Sequence, residues 1–338
     1  MTLVSNPYRI EISENFDLNQ LKCTWLALEV ENNELSFFHS WEWLETWLEV
    51  YQPQVLLVTA KHLGNTVALG LFGRSRETRH YILKSSQLRL FQTGDQKEDQ
   101  IWVEFNGFLC HPDHVEQATR ACLNALLSHK GLCEEIVISM IQRSHAESLL
   151  SIFDQTVVSL STPAYKIDLQ QLSVKKERYV DSLSRNTRYQ INRSNKNFEN
   201  LYGPLKLSFA KNVTEALQYW DEAGKLHAKR WHDSGFTNPK FVSFHKEFMM
   251  KSFDSGMIDV VKITAGSHLI AIIYNIIYKQ NVYFYLQGLQ YVTDGKLKSG
   301  LTAHALLVEH YLQQGMHFYA FMGGYSQYKE LSLIHISE

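Results

Sequence analysis

Apolar residues recur along the chain at two spacings, every second position and every third or fourth, and the switches between them mark successive strands and helices. After a weaker helical segment, Trp43, Trp47 and Tyr51 of FFHSWEWLETWLEVY (37–51) repeat every four residues and predict a helix face turned into a core. VLLVTA at 55–60 and TVALGLFG at 66–73 predict two strands joined by a turn from His62 to Asn65, with Gly64-Asn65 supplying the bend. WVEFNGFLC then reads as a strand, VEQATRACLNALLSHKG as a helix and EEIVISMI at 134–141 as another strand. This half is a mixed α/β domain.

Residues 155–176 are extended and polar, with Pro163 disfavouring helix at Thr162, so a boundary is expected there. The second half repeats the order of the first. KERYVDSLSRNTRYQINRSNKNFEN predicts a helix, PLKLSFA a strand, and NVTEALQYWDEAGKLHAKRWHDSG a long helix ended by Gly235. Asn238 and Pro239 supply the N-cap and first position of the next helix. IDVVKITAG, HLIAIIYNIIYK and NVYFYLQGL follow as three antiparallel strands. The expected domains are 1–160 and 161–330, with 331–338 set apart as a tail.

Residues 281–324 form the most informative unit. NVYFYLQGL suits a buried strand; Leu301, Ala305, Val308 and Leu312 recur at helical spacing; Gly315 sits at a left-handed C-cap, and a strand is expected at 317–322. The intervening loop carries Gly295, Lys296, Lys298, Ser299 and Gly300. The first turn of a helix leaves N–H groups unpaired and bears roughly half a positive charge, so this loop suits an anion held mainly by backbone, such as the pyrophosphate of coenzyme A. The same periodicity fits an ordinary crossover with a solvated basic loop. Neither G-x-G-x-x-G nor G-x-x-x-x-G-K-[ST] is present.

Composition narrows the class. The 338 residues, 45% hydrophobic and 20% charged with a net charge of −2, suit a folded protein of two domains and give no overall field for DNA, RNA or an anionic membrane. Cys23, Cys110, Cys122 and Cys133 form no C-x-x-C, so neither a metal site nor a disulfide scaffold is expected. No apolar run reaches membrane-spanning length and the first residues lack a secretory pattern, which points to the cytoplasm.

Four motifs in order carry a family resemblance: Phe38, Ser40, Trp43 and Trp47 in F-x-S-x-x-W with a following Trp; L-S-R-N-T-R from Leu183 to Arg188, with Arg193; L-H-A-K-R-W from Leu226 to Trp231; and G-x-x-x-Y-K from Gly324 to Lys329. The chain resembles the GNAT acyltransferase superfamily, within it the CelD-like branch linked to cellulose and exopolysaccharide production. The resemblance implies an α/β (α+β) fold of two tandem GNAT-like domains, the first degenerate and the second binding acetyl-CoA or another acyl-CoA, without metal. The family's pyrophosphate pattern, [QR]-x-x-G-x-[GA], has its equivalent within Lys296 to Thr302, where the register Leu297 to Thr302 keeps only Gly300 of the two glycines and lacks the usual first Gln or Arg.

The implied reaction is attack of an acceptor amine or hydroxyl on the thioester. Backbone N–H groups near Gln287 and Gly288 stabilise the oxyanion, Lys296, Lys298, Ser299, Gly300 and Leu301 hold the coenzyme, and Tyr328 or Tyr325 protonates the thiolate. His227 is a candidate base, with a simple hydrogen-bonded helix His as the plainer reading, and His245 is a weaker candidate. Trp231 is either core or substrate platform, and Lys329 belongs to the matched Y-K pair. Arg185, Arg188, Arg193 and Lys196 share a broad helix side that is either solvated or binds an anion: a coenzyme phosphate, a sugar-nucleotide diphosphate or an RNA stem.

The acceptor is expected to be a small molecule or saccharide. An aminoacyl-tRNA donor follows only from the alternative resemblance to FemAB-type aminoacyltransferases, whose coiled-coil arm has no heptads here; a further alternative is a catalytically inactive binding or scaffold subunit of an envelope-polysaccharide system. The sequence does not specify an oligomeric state. LSLIHISE reads as non-native and the second domain as cut short, which would leave an exposed sheet edge.

Overall fold

In a computed structural model, which describes residues 7–79, 83–153, 155–230, 234–324 and 335–337, side-chain caps fix where most helices begin. Asp17, Ser40, Asp168, Ser184, Asn212 and Asn238 each accept a hydrogen bond from a first-turn N–H. The chain divides between Ser159 and Leu160 into two units, each built on its own sheet.

The first unit contains β1 (Tyr8–Ser13), α1 (Leu18–Glu31), α2 (Trp41–Tyr51), β2 (Val55–His62), β3 (Asn65–Arg79) and β4 (Leu83–Leu90). It continues through β5 (Leu109–Cys110), α3 (Val115–Ser128), β6 (Glu135–Val137) and α4 (Arg143–Ile152). The second contains β7 (Ala164–Asp168), α5 (Leu169–Lys175), α6 (Tyr179–Ser182), α7 (Arg185–Tyr202), β8 (Leu205–Phe209), α8 (Val213–Ala228) and α9 (Pro239–Ser252). After these come β9 (Ile258–Ala265), β10 (His268–Tyr278), β11 (Asn281–Leu289), α10 (Ser299–Gln313), β12 (Phe318–Gly323) and β13 (His335–Ser337).

The two sheets repeat one topology. Strands run β1-β2-β3-β4-β6 in the first and β8-β9-β10-β11-β12 within the second, each with two helices after its first strand and one helix inside a parallel crossover between its last two. All other pairings are antiparallel. Both units are thus mixed, mainly antiparallel sheets flanked by helices, the architecture expected of two tandem GNAT-like domains.

Several local expectations are corrected. The 62–65 hairpin turns on Leu63 and Gly64, both at positive φ, rather than on Gly64 and Asn65. Only Leu109 and Cys110 of the expected 102–110 strand pair with β3. The helix predicted over 176–200 is broken at Leu183, because Ser184 starts a new one by accepting the Thr187 N–H. The extended 155–176 stretch folds into β7 and α5. The long helix α8 ends at Ala228, well before Gly235, which lies in a single 3-10 turn. β12 is not an edge of its sheet: β7 pairs along it, and β13 pairs with β7.

The two crossovers differ in one respect. In the first unit β4 and β6 pair near the end of β4, and the space beyond is filled by the chain itself: Asn106 donates its side-chain amide to the Leu90 carbonyl and its backbone N–H to the Met140 carbonyl. Ser139 also bonds to Gln92 across the same gap. The following helix, α3, carries Glu116 in its first turn and Asp113 just ahead, charges that repel an anion there.

Each unit encloses a neutral histidine. His39 is held against the Gly107 carbonyl, and burial pushes its pKa down to about 4; burial among aromatic rings pushes His245 down to about 3. The unfolded chain, with ordinary histidines, binds these protons more readily. Stability is therefore fullest above pH 6.5 and is expected to fall as pH drops below it, by about 1.4 kcal/mol per pH unit for each histidine, until those depressed values are reached. Denaturant titrations at pH 7 and pH 5 check this; identical unfolding free energies would contradict it.

Candidate active site

The site is built where β11 leaves β12. The parallel ladder joins only Asn281–Tyr283 to Phe318–Ala320; beyond it β11 stays with β10 and β12 stays with β7. Each strand carries a bulge at the parting, at Tyr285 in β11 and at Phe321 in β12, which bends the two strands apart. The edge of β11 from 284 to 289 is thereby left facing a notch.

The first turn of α10 stands at the open end of this notch. Ser299 donates its hydroxyl to the Gln290 carbonyl, and the Lys298 N–H donates to Ser194 Oγ of α7, which also bonds to Thr302. Lys298, the N-cap, makes no side-chain capping bond. The N–H groups after it keep the free valence typical of a helix start. Lys296 and Lys298 are exposed and Gly300 is half-buried beside Leu289.

The Ser299 hydroxyl is bonded to the loop and Leu301 packs into the core, so it is their backbones that can face a ligand. Asp294 does form the turn, accepting the Lys296 N–H.

Across the sheet, α8 lies against β11. A Cβ on Gly288 would come within 2.7 Å of the Ala223 backbone, so glycine is what permits this approach. One turn beyond Ala223 stands His227, half-buried, with Nδ1 2.8 Å from Ser234 Oγ. Burial lowers its pKa below the usual histidine value. Arg230 follows, its guanidinium 4.4 Å from the Tyr291 ring centroid. The end of α8 therefore borders the end of β11.

His245, the other candidate base, is enclosed by Trp220, Phe241, Tyr274 and Tyr285 and belongs to the core. Arg185, Tyr189, Asn192 and Lys196 form an outward stripe on α7, opposite the buried Thr187, Ile191, Ser194 and Phe198. With Arg188 and Arg193 they form an open, cationic side of the helix. The stripe is separate from the face of α7 that holds α10. Trp231, Tyr325, Tyr328 and Lys329 lie outside the described residues.

Sequence reasoning missed His304 and Ser234. His304 lies under the notch, with Nε2 3.2 Å from Gln287 Oε1 and Nδ1 3.0 Å from Tyr319 OH. A His and a Tyr seven apart, at 304 and 311 on the apolar face of the helix, were the available signal. Among the described residues no group of three or more His, Cys, Asp or Glu side chains could hold a metal ion, and no helix is long and apolar enough to cross a membrane.

Residues 185–330 match the family model of the acetyltransferase (GNAT) domain. That segment, somewhat less than half of the chain, is similar to GNAT-type acetyltransferase domains. It runs from the start of α7 through the β11–α10–β12 crossover, so the notch lies inside it. Over nearly the whole chain the structure is similar to FemX, with a TM-score of 0.61, 9% identity, and coverage of 97% of this chain and 95% of FemX. It is also similar to L-PGS from Bacillus licheniformis, with a TM-score of 0.52, 13% identity, and coverage of 94% and 82%. The C-terminal domain of a putative lysylphosphatidylglycerol synthetase from Agrobacterium fabrum gives 0.52, 9% identity, and coverage of 90% and 79%. At these identities the likeness is one of fold. No curated protein matches the chain in sequence.

Proposed function

We propose that the GNAT-type domain is an acyl-CoA-dependent acyltransferase that moves an acyl group to an amine or hydroxyl of a small-molecule, sugar or polysaccharide acceptor. The observation that carries this reading is the bulged parting of β11 from β12, with the first turn of α10 at its open end. An extended, amide-rich arm can pair with the strand edge at 284–289. Its pyrophosphate then meets the N–H groups around Gly300, with Lys296 and Lys298 adding charge.

In the reaction the acceptor nitrogen or oxygen attacks the thioester carbonyl. Backbone N–H groups at Gln287 and Gly288 stabilise the charge that builds on its oxygen, and His227 takes the acceptor proton. Tyr328 or Tyr325, placed by the resemblance, returns a proton to the thiolate. A saccharide acceptor and a place in envelope-polysaccharide production follow from the CelD-like resemblance, and a cytoplasmic site of action suits an acyl-CoA donor. The first unit serves as a degenerate partner, its equivalent gap being filled by Asn106.

Acetyl-CoA or a longer acyl-CoA at a hundred times its dissociation constant is expected to stabilise the protein by about 2.7 kcal/mol, with calorimetry giving one donor per chain. The absence of any shift with every acyl-CoA would overturn the reading.

The α7 stripe favours a second reading, an aminoacyl-tRNA donor as in the FemAB-type resemblance. Among the described residues none of Arg185, Arg188, Arg193 and Lys196 pairs with a carboxylate, although Lys22, Lys61, Arg74 and Lys262 elsewhere do. Tyr189 is exposed beside them and Arg193 lies over its ring. Under this reading tRNA affinity falls with salt at a slope of about −0.7 to −0.9 per phosphate neutralised, and the paired Arg185→Ala and Lys196→Ala changes reduce that slope by about 1.5. A slope unchanged by these substitutions counts against it.

A further inference from the structure

A buried chain of polar groups underlies the notch. Asp259 accepts from Tyr311 OH (2.8 Å), Tyr311 accepts from Asn275 Nδ2 (3.1 Å), and Asn275 Oδ1 lies 3.5 Å from Tyr319 OH. Tyr319 OH is 3.0 Å from His304 Nδ1, and His304 Nε2 is 3.2 Å from Gln287 Oε1. The members cross four strands and a helix and lie among the buried apolar residues of this core, so each hydrogen bond replaces one that water would have made.

The direction of the bonds decides what Gln287 can do. Among the described residues the Tyr319 hydroxyl reaches His304 Nδ1 and Asn275 Oδ1 with its one proton, and His304 Nδ1 is the nearer by half an ångström. With that proton on Nδ1's lone pair, the imidazole carries its own hydrogen on Nε2 and donates to Gln287 Oε1. The carboxamide is then fixed by its oxygen. Its N–H2 group makes no hydrogen bond among the described residues, and it extends from the part of β11 that β12 has left.

We propose that Gln287 presents this N–H2 group to the acyl carbonyl oxygen of the donor, and that His304, oriented by Tyr319, is the positioning residue that keeps the carboxamide in this sense. The inference rests on the donor reading above and adds a side-chain donor to the backbone N–H groups. It also predicts selectivity: the site distinguishes a donor that has a carbonyl oxygen from one that lacks it.

The test compares acetyl-CoA with S-ethyl-coenzyme A, the thioether without the carbonyl, by titration calorimetry. Wild-type protein is expected to bind acetyl-CoA about five- to tenfold more tightly, as one added hydrogen bond allows. Gln287→Ala and His304→Phe are each expected to lower that ratio severalfold, to what the backbone N–H groups alone supply, and combining them adds nothing further. His304→Gln, which can still donate to Gln287, restores it. Because the readout is a ratio within one protein, a general loss of stability does not imitate the result, and Tyr319→Phe serves where His304→Phe fails to fold. A ratio unchanged by these substitutions overturns this proposal and leaves the donor reading standing. Failure of wild-type protein to bind either ligand overturns both.

Discussion

Replacing Gly288 by alanine is expected to force α8 away from β11 and to abolish donor binding. The added Cβ would lie 2.7 Å from both Cα and the carbonyl oxygen of Ala223, backbone atoms in the middle of a helix that cannot rotate aside as a side chain can. Overpacking of this kind costs about 1–3 kcal/mol. In a unit of this size, each kcal/mol lowers Tm by about 2–4 °C. Movement of α8 also displaces His227, which rides one turn beyond Ala223, so acceptor chemistry should be lost even at temperatures where the protein stays folded. Gly300→Ala is the informative contrast. A Cβ there would approach Leu289 Cδ1 no closer than 3.6 Å, and the position is helical, so stability should be kept or rise by a few tenths of a kcal/mol. If the pyrophosphate approaches that backbone, Gly300→Ala weakens acyl-CoA binding alone. Calorimetric Tm and acyl-CoA affinity for the two variants decide the matter; a Gly288→Ala protein with wild-type values of both would show that the α8–β11 contact does not shape the site.

The contrast between these glycines shows where sequence reading succeeds and where it stops. Gly300 is conspicuous in sequence because it matches a motif, whereas Gly288 matters because a helix distant in sequence packs onto it. Local signals were legible for local reasons. Gly315 takes a positive φ after α10, Asn238 caps α9 with Pro239 at its first position, and the aromatic run at 281–289 is a strand, because each depends on its immediate neighbours. The 102–110 segment has strand-forming residues, yet its fate is set by the gap between β4 and β6, which only the folded sheet defines. Likewise β7 reads as polar linker until β12 offers it a hydrogen-bonding edge. The repetition of topology was legible as order of elements. The structural difference between the crossovers was not, since it lies in how far one strand extends past its partner.

The removal of His227 as a base is expected to lower kcat by 10²- to 10⁴-fold with little change in KM for the acyl-CoA. His227→Gln is the preferred variant, because glutamine retains a polar contact to Ser234 but cannot accept the acceptor's proton. The tautomer that the proposed role calls for has Nδ1–H donating to Ser234 Oγ, with the base function on Nε2. Ser234 is suited to receive that bond because its oxygen already accepts the Phe236 N–H in capping the 235–237 turn, which fixes its position. Burial lowers the His227 pKa, so the neutral imidazole, the form that can act as a base, predominates at pH 7. The sign follows directly: kcat/KM should be flat near neutrality and fall with a slope of one only below pH 6.5, as the imidazole gains its proton. In His227→Gln that acidic limb disappears along with the rate. Ser234→Ala keeps the imidazole but releases its tautomer, so it should retain the acidic limb at a several-fold lower plateau. Thiol release from acetyl-CoA with glucosamine as acceptor, followed from pH 5 to pH 8, measures all three. Wild-type kcat in His227→Gln, or an acidic limb that survives in it, would assign the base elsewhere along the notch.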